Sequence, residues 1–321
     1  MNFPFSDISL FSSQVLLLGL VICLKWIITR FSPLDTFQFF RFYCTQLANK
    51  VNKAENSNNQ RLIAGWLAFL LNFFTIIIIV WLFEDFIEVL WLWHGLLLFI
   101  AIDGLHLSSK GKKLAQTLVA NNKYEAKEIV NTVALRNTES MSVMGLAKAF
   151  IEIQILKVNQ QLLVTCFYYL IAGPLAAFSY RLCLEMHYSW NIKQENYQVF
   201  GKPISVLVNI LQWLPIRIIS LLLLITAIKN HSLLIWRLMK KDFFKLNNNL
   251  LIHCFALVNE IQLGGVAIYN GKKLRRTSFN EQARQPQPSD IIHANHRINA
   301  LLIFITISVI LISVASYVVN I

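Results

Sequence analysis

Near the end of the 321-residue chain lies the stretch EIQLGGVAIYNGKKLRR, Glu260 to Arg276, whose residue types could meet a charged ligand. Gly264, Gly265 and Gly271 permit close approach of backbone to another group, or backbone conformations closed to other residues. Backbone N–H groups exposed in such a turn, followed by Lys272, Lys273, Arg275 and Arg276, suit a phosphate or another anion. The same residues also describe a tight turn followed by a basic stretch lying on anionic lipid, which needs no ligand. Both readings stand on the residues alone.

Arg217, in LQWLPIRII, sits well inside an apolar run, where an arginine costs several kcal/mol unless it is paired or reaches water. Pro215 beside it removes a helix donor and frees a carbonyl. The arginine either snorkels to headgroups or lines a cavity. In HANH, His293 and His296 at i and i+3 could share a metal on one helix face, but no acidic or cysteine partner is near in sequence, which favours solvated or headgroup-facing histidines. His94, between tryptophans in WLWHGLL, fits a membrane boundary. GLHLSSKGKK is no phosphate loop: Gly104 and Gly111 are seven apart, and Lys113 follows Lys112 where a hydroxyl residue is required.

The elements that must position these residues are set by an apolar content of 56% against 14% charged residues, outside the soluble range. Six runs are long enough for a hydrocarbon core about 30 Å thick: Leu10 to Ile28, Ile63 to Phe83, Phe86 to Leu107, Leu162 to Leu184, Ile204 to Ile228 and Ala300 to Val319. The fold class expected is all-α, a polytopic membrane protein of about five to six transmembrane helices with amphipathic cytoplasmic helices. The first run, too long and too poor in a small-residue cleavage site for an ordinary signal peptide, reads as a retained span. Gly173 and Pro174 lie within the fourth, which could therefore be a re-entrant or broken pair of helices.

The net charge of +12 follows the loops. With the N-terminus outside, the inside segments Phe31 to Leu62, Ser108 to Gln161 and Lys229 to Asn299, together with Arg30, hold 24 of the 29 cations. This is the positive-inside bias; it predicts a bacterial inner membrane protein with its main loops cytoplasmic, the lipid bilayer as partner, and no nucleic acid. The five cysteines show no C-x-x-C pair and imply no disulfide framework. Four regions follow: 1–107, an N-terminal membrane part with three apolar spans; 108–161, amphipathic cytoplasmic helices with apolar positions Leu114, Leu118, Ile129, Val133 and Leu135; 162–299, carrying the motif-bearing loops; and 300–321, a C-terminal membrane helix. KAENSNNQR, Lys53 to Arg61, reads as a loop tip, and FNEQARQPQPSD as an irregular linker.

IQLGGVAIYNG resembles the I-x-L-G-G-x-x-x-Y-x-G motif of the adenosylcobinamide-phosphate synthase family (CobD/CbiB), multi-pass membrane proteins of cobalamin biosynthesis. Further matches fall in family order. Arg136, Asn137 and Thr138 resemble R-D-T; Glu152 stands at the first glutamate of E-T-x-x-E-N-x-x-D-G; AGPLA, Ala172 to Ala176, is similar to G-x-P-L-A. KQENY, Lys193 to Tyr197, with Gly201 resembles K-x-E-x-Y and its glycine, WLPIR resembles Y-L-P-A-R, and Asn247 fits the asparagine of S-P-N. The resemblance implies ATP-dependent amide ligation of a corrinoid carboxyl with aminopropanol or its phosphate, using ATP and Mg²⁺ where that activity is retained. The ligand implied is a corrinoid or nucleotide. The substrate-binding residues implied are Arg136, Asn137, Thr138, Glu152, Glu195, Tyr197, Arg217, Asn247, Gln262, Gly264, Gly265, Tyr269 and Gly271.

The sequence departs from the family's acids. Leu156, Lys157 and Gln160 replace E-N-x-x-D, Val208 and Asn209 replace the acid pair before L-P-x-R, Ile252 replaces a later glutamate, and LEMHY around Glu185 stands near the expected N-T-x-D. No metal ligands and no catalytic residue are assigned. A related branch, the AmpE-type inner-membrane proteins, also lacks these acids, and its L-D-W-V-P-V-R is similar to LQWLPIR. The alternative expectation is therefore a non-catalytic signalling or scaffold protein. A transporter would need polar groups aligned through several spans, which offer little beyond Asn72, Arg181, Gln212 and Arg217.

Overall fold

A computed structural model describes residues 10–31, 35–53, 55–134, 138–139, 141–226, 236–237, 239–240, 243–244, 247–269 and 272–319, with the side chains of residues 10, 266–275 and 316–319 also outside the description. The helices are α1 (Leu10–Phe31), α2 (Gln38–Val51), α3 (Asn58–Glu84), α4 (Leu90–Ala101), α5 (Leu107–Val119), α6 (Lys123–Asn131), α7 (Val143–Val158), α8 (Val164–Ser189), α9 (Lys202–Thr226), α10 (Asn248–Val258) and α11 (Pro288–Val319). A π turn, Asn159–Leu163, joins α7 to α8. Strands β1 (Leu263–Tyr269) and β2 (Lys272–Phe279) form an antiparallel ribbon. Among the described residues, five helical stretches are long and apolar enough to cross a membrane: Phe11–Phe31, Asn58–Glu84, Val143–Ser189, Lys202–Thr226 and Pro288–Ala315. The all-α polytopic class holds, with the ribbon as an addition that the sequence reading omitted.

Contacts divide the chain into two units, Met1–Asp103 with Gln160–Gln212 and Ile310–Ile321, and Gly104–Asn159 with Trp213–Val309. In the first unit the run from Phe86 to Leu107 forms only a 12-residue helix, α4. At 1.5 Å per residue it reaches about 18 Å, short of a bilayer crossing. Ile102 is extended, Gly104 has φ +93°, and the helix stops there. α4 packs on α1 and α8 instead.

Val143–Ser189 is not one rod. At Gly173 the backbone adopts φ 82°, ψ −172°, a conformation essentially reserved for glycine, and Pro174 follows. Beyond it the chain turns back. Tyr188 Oη donates to Gln160 Oε1 at 2.7 Å, Tyr180 Oη donates to the Gln160 carbonyl at 3.0 Å, and the Tyr168 and Tyr180 rings stack at 5.3 Å. In a continuous helix Gln160 and Tyr188 would be about 42 Å apart. The two arms therefore form a helical hairpin, the broken pair of helices that Gly173 and Pro174 suggested. Pro215 likewise leaves the Leu211 carbonyl without its helical donor, and Tyr168 Oη supplies one at 2.8 Å.

In the second unit α5 and α6 are amphipathic and bury Leu114, Leu118 and Ile129, as the periodicity indicated; Val133 is buried in the turn after α6, and Leu135 lies outside the described residues. Gly111, from the rejected phosphate-loop stretch, is a packing glycine: a Cβ there would press on Phe150 and Asn295 at 2.9 Å. Residues 280–287 are irregular, as expected of the linker. The polar tip at Lys53 to Arg61 is shorter than expected, because Ser57 and Gln60 form a capping box that starts α3 at Asn58.

Candidate functional site

The glycine motif and Glu152 meet in the second unit. Glu152 lies on α7, 2% exposed. Its Oε1 accepts the Gly264 N–H at 2.8 Å, and its Oε2 receives Arg276 Nη2 at 3.0 Å. Arg276 Nε also donates to the Gly265 carbonyl at 3.2 Å. One carboxylate thus joins the helix to both strands, and the two contacts of Arg276, one to the carboxylate and one to the Gly265 carbonyl, fix the plane of its guanidinium.

The glycines are needed for this shape. Gly264 and Gly265 have φ +78° and +85°, and the ladder slips between Gly264 and Val266, a β-bulge. A Cβ on Gly264 would overlap the Thr277 carbonyl oxygen. Gln262 clasps the ribbon's base: its Nε2 donates to Ser278 Oγ at 2.9 Å, its N–H to the Arg284 carbonyl at 2.9 Å, and its Oε1 accepts from Gln285. Arg284 is held bidentately by Asp290, both contacts 2.7 Å, and its pKa is raised by the hydrogen bond to that carboxylate. Tyr269 pairs with Lys272 in the ribbon, while Gly271, Arg136 and Asn137 lie outside the described residues, as do the Tyr269, Lys272, Lys273 and Arg275 side chains.

A second pair of motif residues, Arg217 and Asn247, meets within the same unit. Arg217, 4% exposed, donates to Asn247 Oδ1 at 3.0 Å, to the Phe244 carbonyl at 3.1 Å and to the Trp213 carbonyl at 2.6 Å, and its guanidinium lies 4.0 Å from the Trp213 ring centroid. It is buried and paired inside the protein, so snorkelling does not describe it. Thr138 is buried, its carbonyl capped by the Met141 N–H. His293 and His296 are both exposed on α11, and among the described residues no group of three or more histidine, cysteine or acidic side chains could hold a metal.

Glu195 and Tyr197 belong to the first unit, in a 3₁₀ turn, Glu195–Tyr197. The Asn196 carbonyl accepts from Asn52 Nδ2 at 2.7 Å and Arg61 Nη2 at 2.5 Å, so this turn lies beside the α2–α3 connection. Burial raises the pKa of the Tyr197 phenol.

The sequence reading missed an ionic chain in the same unit. Arg181, fully buried on the returning arm of α8, pairs with Glu185 at 2.6 Å and Asp103 at 3.5 Å; Glu185 also takes Arg41 at 2.7 Å, and Arg41 reaches Asp35. Burial would lower the Arg41 pKa, but the neighbouring Glu185 and Asp35 carboxylates carry it upward. The Arg181 guanidinium sits over the Phe37 ring at 5.0 Å. Only the i, i+4 spacing of Arg181 and Glu185 was visible as a signal in the sequence.

The family model described as CobD/Cbib protein matches residues 31–298. Curated relatives include a cobalamin biosynthesis protein CobD of Stutzerimonas stutzeri, 23% identical over 68% of this chain and 71% of its own length. Others are those of Chromobacterium violaceum, 25% identical over 55% and 56%, and of Clostridium perfringens, 23% identical over 63% and 66%. The match thus spans between 56 and 71% of these relatives' length. No solved structure matches the chain. The motif order around Glu152 and the Gly264–Gly265 bulge and the family match over residues 31–298 agree: the chain belongs to the CobD/Cbib family of cobalamin biosynthesis membrane proteins.

Proposed function

We propose that the chain performs the amide ligation that the family resemblance implies, joining a corrinoid carboxyl to aminopropanol or its phosphate at the membrane. The observation that carries this reading is the Glu152 clasp, which draws the glycine motif and the first motif glutamate into one buried contact with Arg276. Amide ligation needs a carboxylate activated and water excluded. The Arg276 guanidinium supplies a fixed positive partner for an anionic substrate group, and Glu152 holds it in place. ATP, when bound, would supply the activation of the carboxyl. Mg²⁺ does not fit the described residues: both Glu152 oxygens are engaged, the family's acid positions carry Leu156, Lys157, Gln160, Val208 and Asn209, and no acidic group of three is present among them. No step is therefore routed through a metal.

The positive-inside bias supports a bacterial inner-membrane location with the main loops cytoplasmic. The contact of Asn196 with Asn52 and Arg61 supports putting Glu195 and Tyr197 on that same side, a placement that six full crossings would forbid. The test is complementation of a strain lacking its adenosylcobinamide-phosphate synthase. Restored cobinamide production is expected; its absence despite normal membrane insertion contradicts the reading.

The engaged Glu152 carboxylate favours a second reading, a non-catalytic, AmpE-like membrane scaffold or sensor. Tight Mg-ATP binding by the purified protein would sink it.

A further inference from the structure

Lys148 lies on α7, four residues before Glu152, and enters none of the motifs above. Gly265 has φ +85°, and among the described residues a Cβ placed there would meet one neighbour, the Lys148 ammonium nitrogen at 3.9 Å. Among the described residues outside its chain neighbours, no other atom lies within 4 Å of that position, and an ammonium sits at its edge. The Gly265 carbonyl is bonded to Arg276 Nε, and Arg276 is a fifth exposed. Lys148 and Arg276 bring two cations to this backbone, and Glu152 binds Arg276 from the helix side.

We propose that Lys148, the Arg276 guanidinium and the open side of the Gly265 backbone form a site for a phosphate-class anion, a phosphate monoester or the phosphate of a nucleotide or lipid headgroup. Lysine serves such a group as a point charge and arginine as a planar donor fork. A tetrahedral dianion has oxygens enough for both, and glycine lets it approach the chain closely. The site rests on and deepens the ligation reading by giving the phosphorylated reactant an anchor. Glu152 acts through Arg276 as a positioning residue.

The test uses the full chain in phosphatidylcholine nanodiscs titrated with inorganic phosphate, followed by ³¹P line broadening. Saturable binding is expected, weakened about tenfold in Lys148→Gln, the size of one charge-assisted hydrogen bond, and kept in Lys148→Arg. Helical content by circular dichroism verifies that each variant is folded. Adding phosphatidylglycerol separates the sources: competition with phosphate in wild type, weakened in Lys148→Gln, assigns the site to lipid headgroups, and an unchanged titration assigns it to soluble phosphates. Absence of saturable phosphate binding in wild type, or equal affinity in wild type and Lys148→Gln, overturns the proposal. Complementation with equal phosphate affinities defeats this site and leaves the ligation reading; failed complementation with Lys148-dependent binding does the reverse.

Discussion

Glu152 Oε1 lies 2.8 Å from the backbone nitrogen of Gly264, 112 residues later in the chain, so a helix side chain is bonded directly into a β-bulge. The other oxygen of the same carboxylate holds Arg276, and helix and ribbon are therefore coupled through one buried charge. Glu152→Gln keeps an acceptor for the Gly264 N–H and removes the charge facing Arg276. It is expected to cost about 2 kcal/mol of stability, read as a lowered unfolding midpoint in detergent. An unchanged midpoint would show that the pair is energetically idle.

The two neighbouring glycines should respond differently. Gly264→Ala meets both a left-handed φ and the Thr277 carbonyl, and is expected to cost well over 2 kcal/mol. Gly265→Ala meets the φ penalty alone, about 1–2 kcal/mol. Equal losses in the same detergent would contradict the bulge geometry.

Reversal of the chain at Gly173 is open to direct measurement. In a background without native cysteines, Gln160→Cys and Tyr188→Cys should be joined by a bifunctional reagent spanning about 10 Å, whereas a straight helix would hold them about 42 Å apart. Failure to join them, with both thiols reactive singly, would restore the continuous rod.

Arg181→Met leaves buried Glu185 with Arg41 as its remaining ion-pair partner among the described residues and should destabilise by about 3 kcal/mol or more. The double variant Arg181→Met/Glu185→Met should be less damaged than Arg181→Met alone, since Arg41 keeps Asp35. Additive losses would mean that the two groups do not interact.

Cys44, fully buried on α2, accepts the Trp190 indole N–H on its backbone carbonyl, and burial pushes its thiol up to about 12. The thiolate is the reactive form, so alkylation at pH 8 should leave Cys44 unmodified in the folded protein and modify it after unfolding. Mass spectrometry of the alkylated peptide decides this.

How much of this was legible depends on the range of the interaction. The long spans were readable because bilayer thickness fixes their length, and the break at Gly173–Pro174 because those two residues act on their own backbone. The short α4 was not, since its apolar run extends past the point where Ile102 and Gly104 end the helix. The ribbon escaped despite Asn270–Gly271, a strong local hairpin signal, because the basic residues beside it also fit a lipid-facing stretch. At the site, Gly264 and Glu152 were found through motif resemblance, whereas Arg276 as their partner and Lys148 have no local signature, and of the chain from Asp103 to Asp35 only the i, i+4 pair Arg181 and Glu185 has one. Contacts such as Arg41 with Glu185, 144 residues apart, exist only after folding.

Whether this membrane protein joins a corrinoid carboxyl to an amino alcohol, as proposed, is decided by corrinoid extraction from a synthase-deficient strain expressing the chain at a verified membrane level. Mass spectrometry of the extract should reveal the amidated corrinoid with wild type and a reduced yield with Glu152→Gln. Accumulation of the unamidated carboxylate alone, with wild-type protein inserted normally, would contradict the proposed ligation.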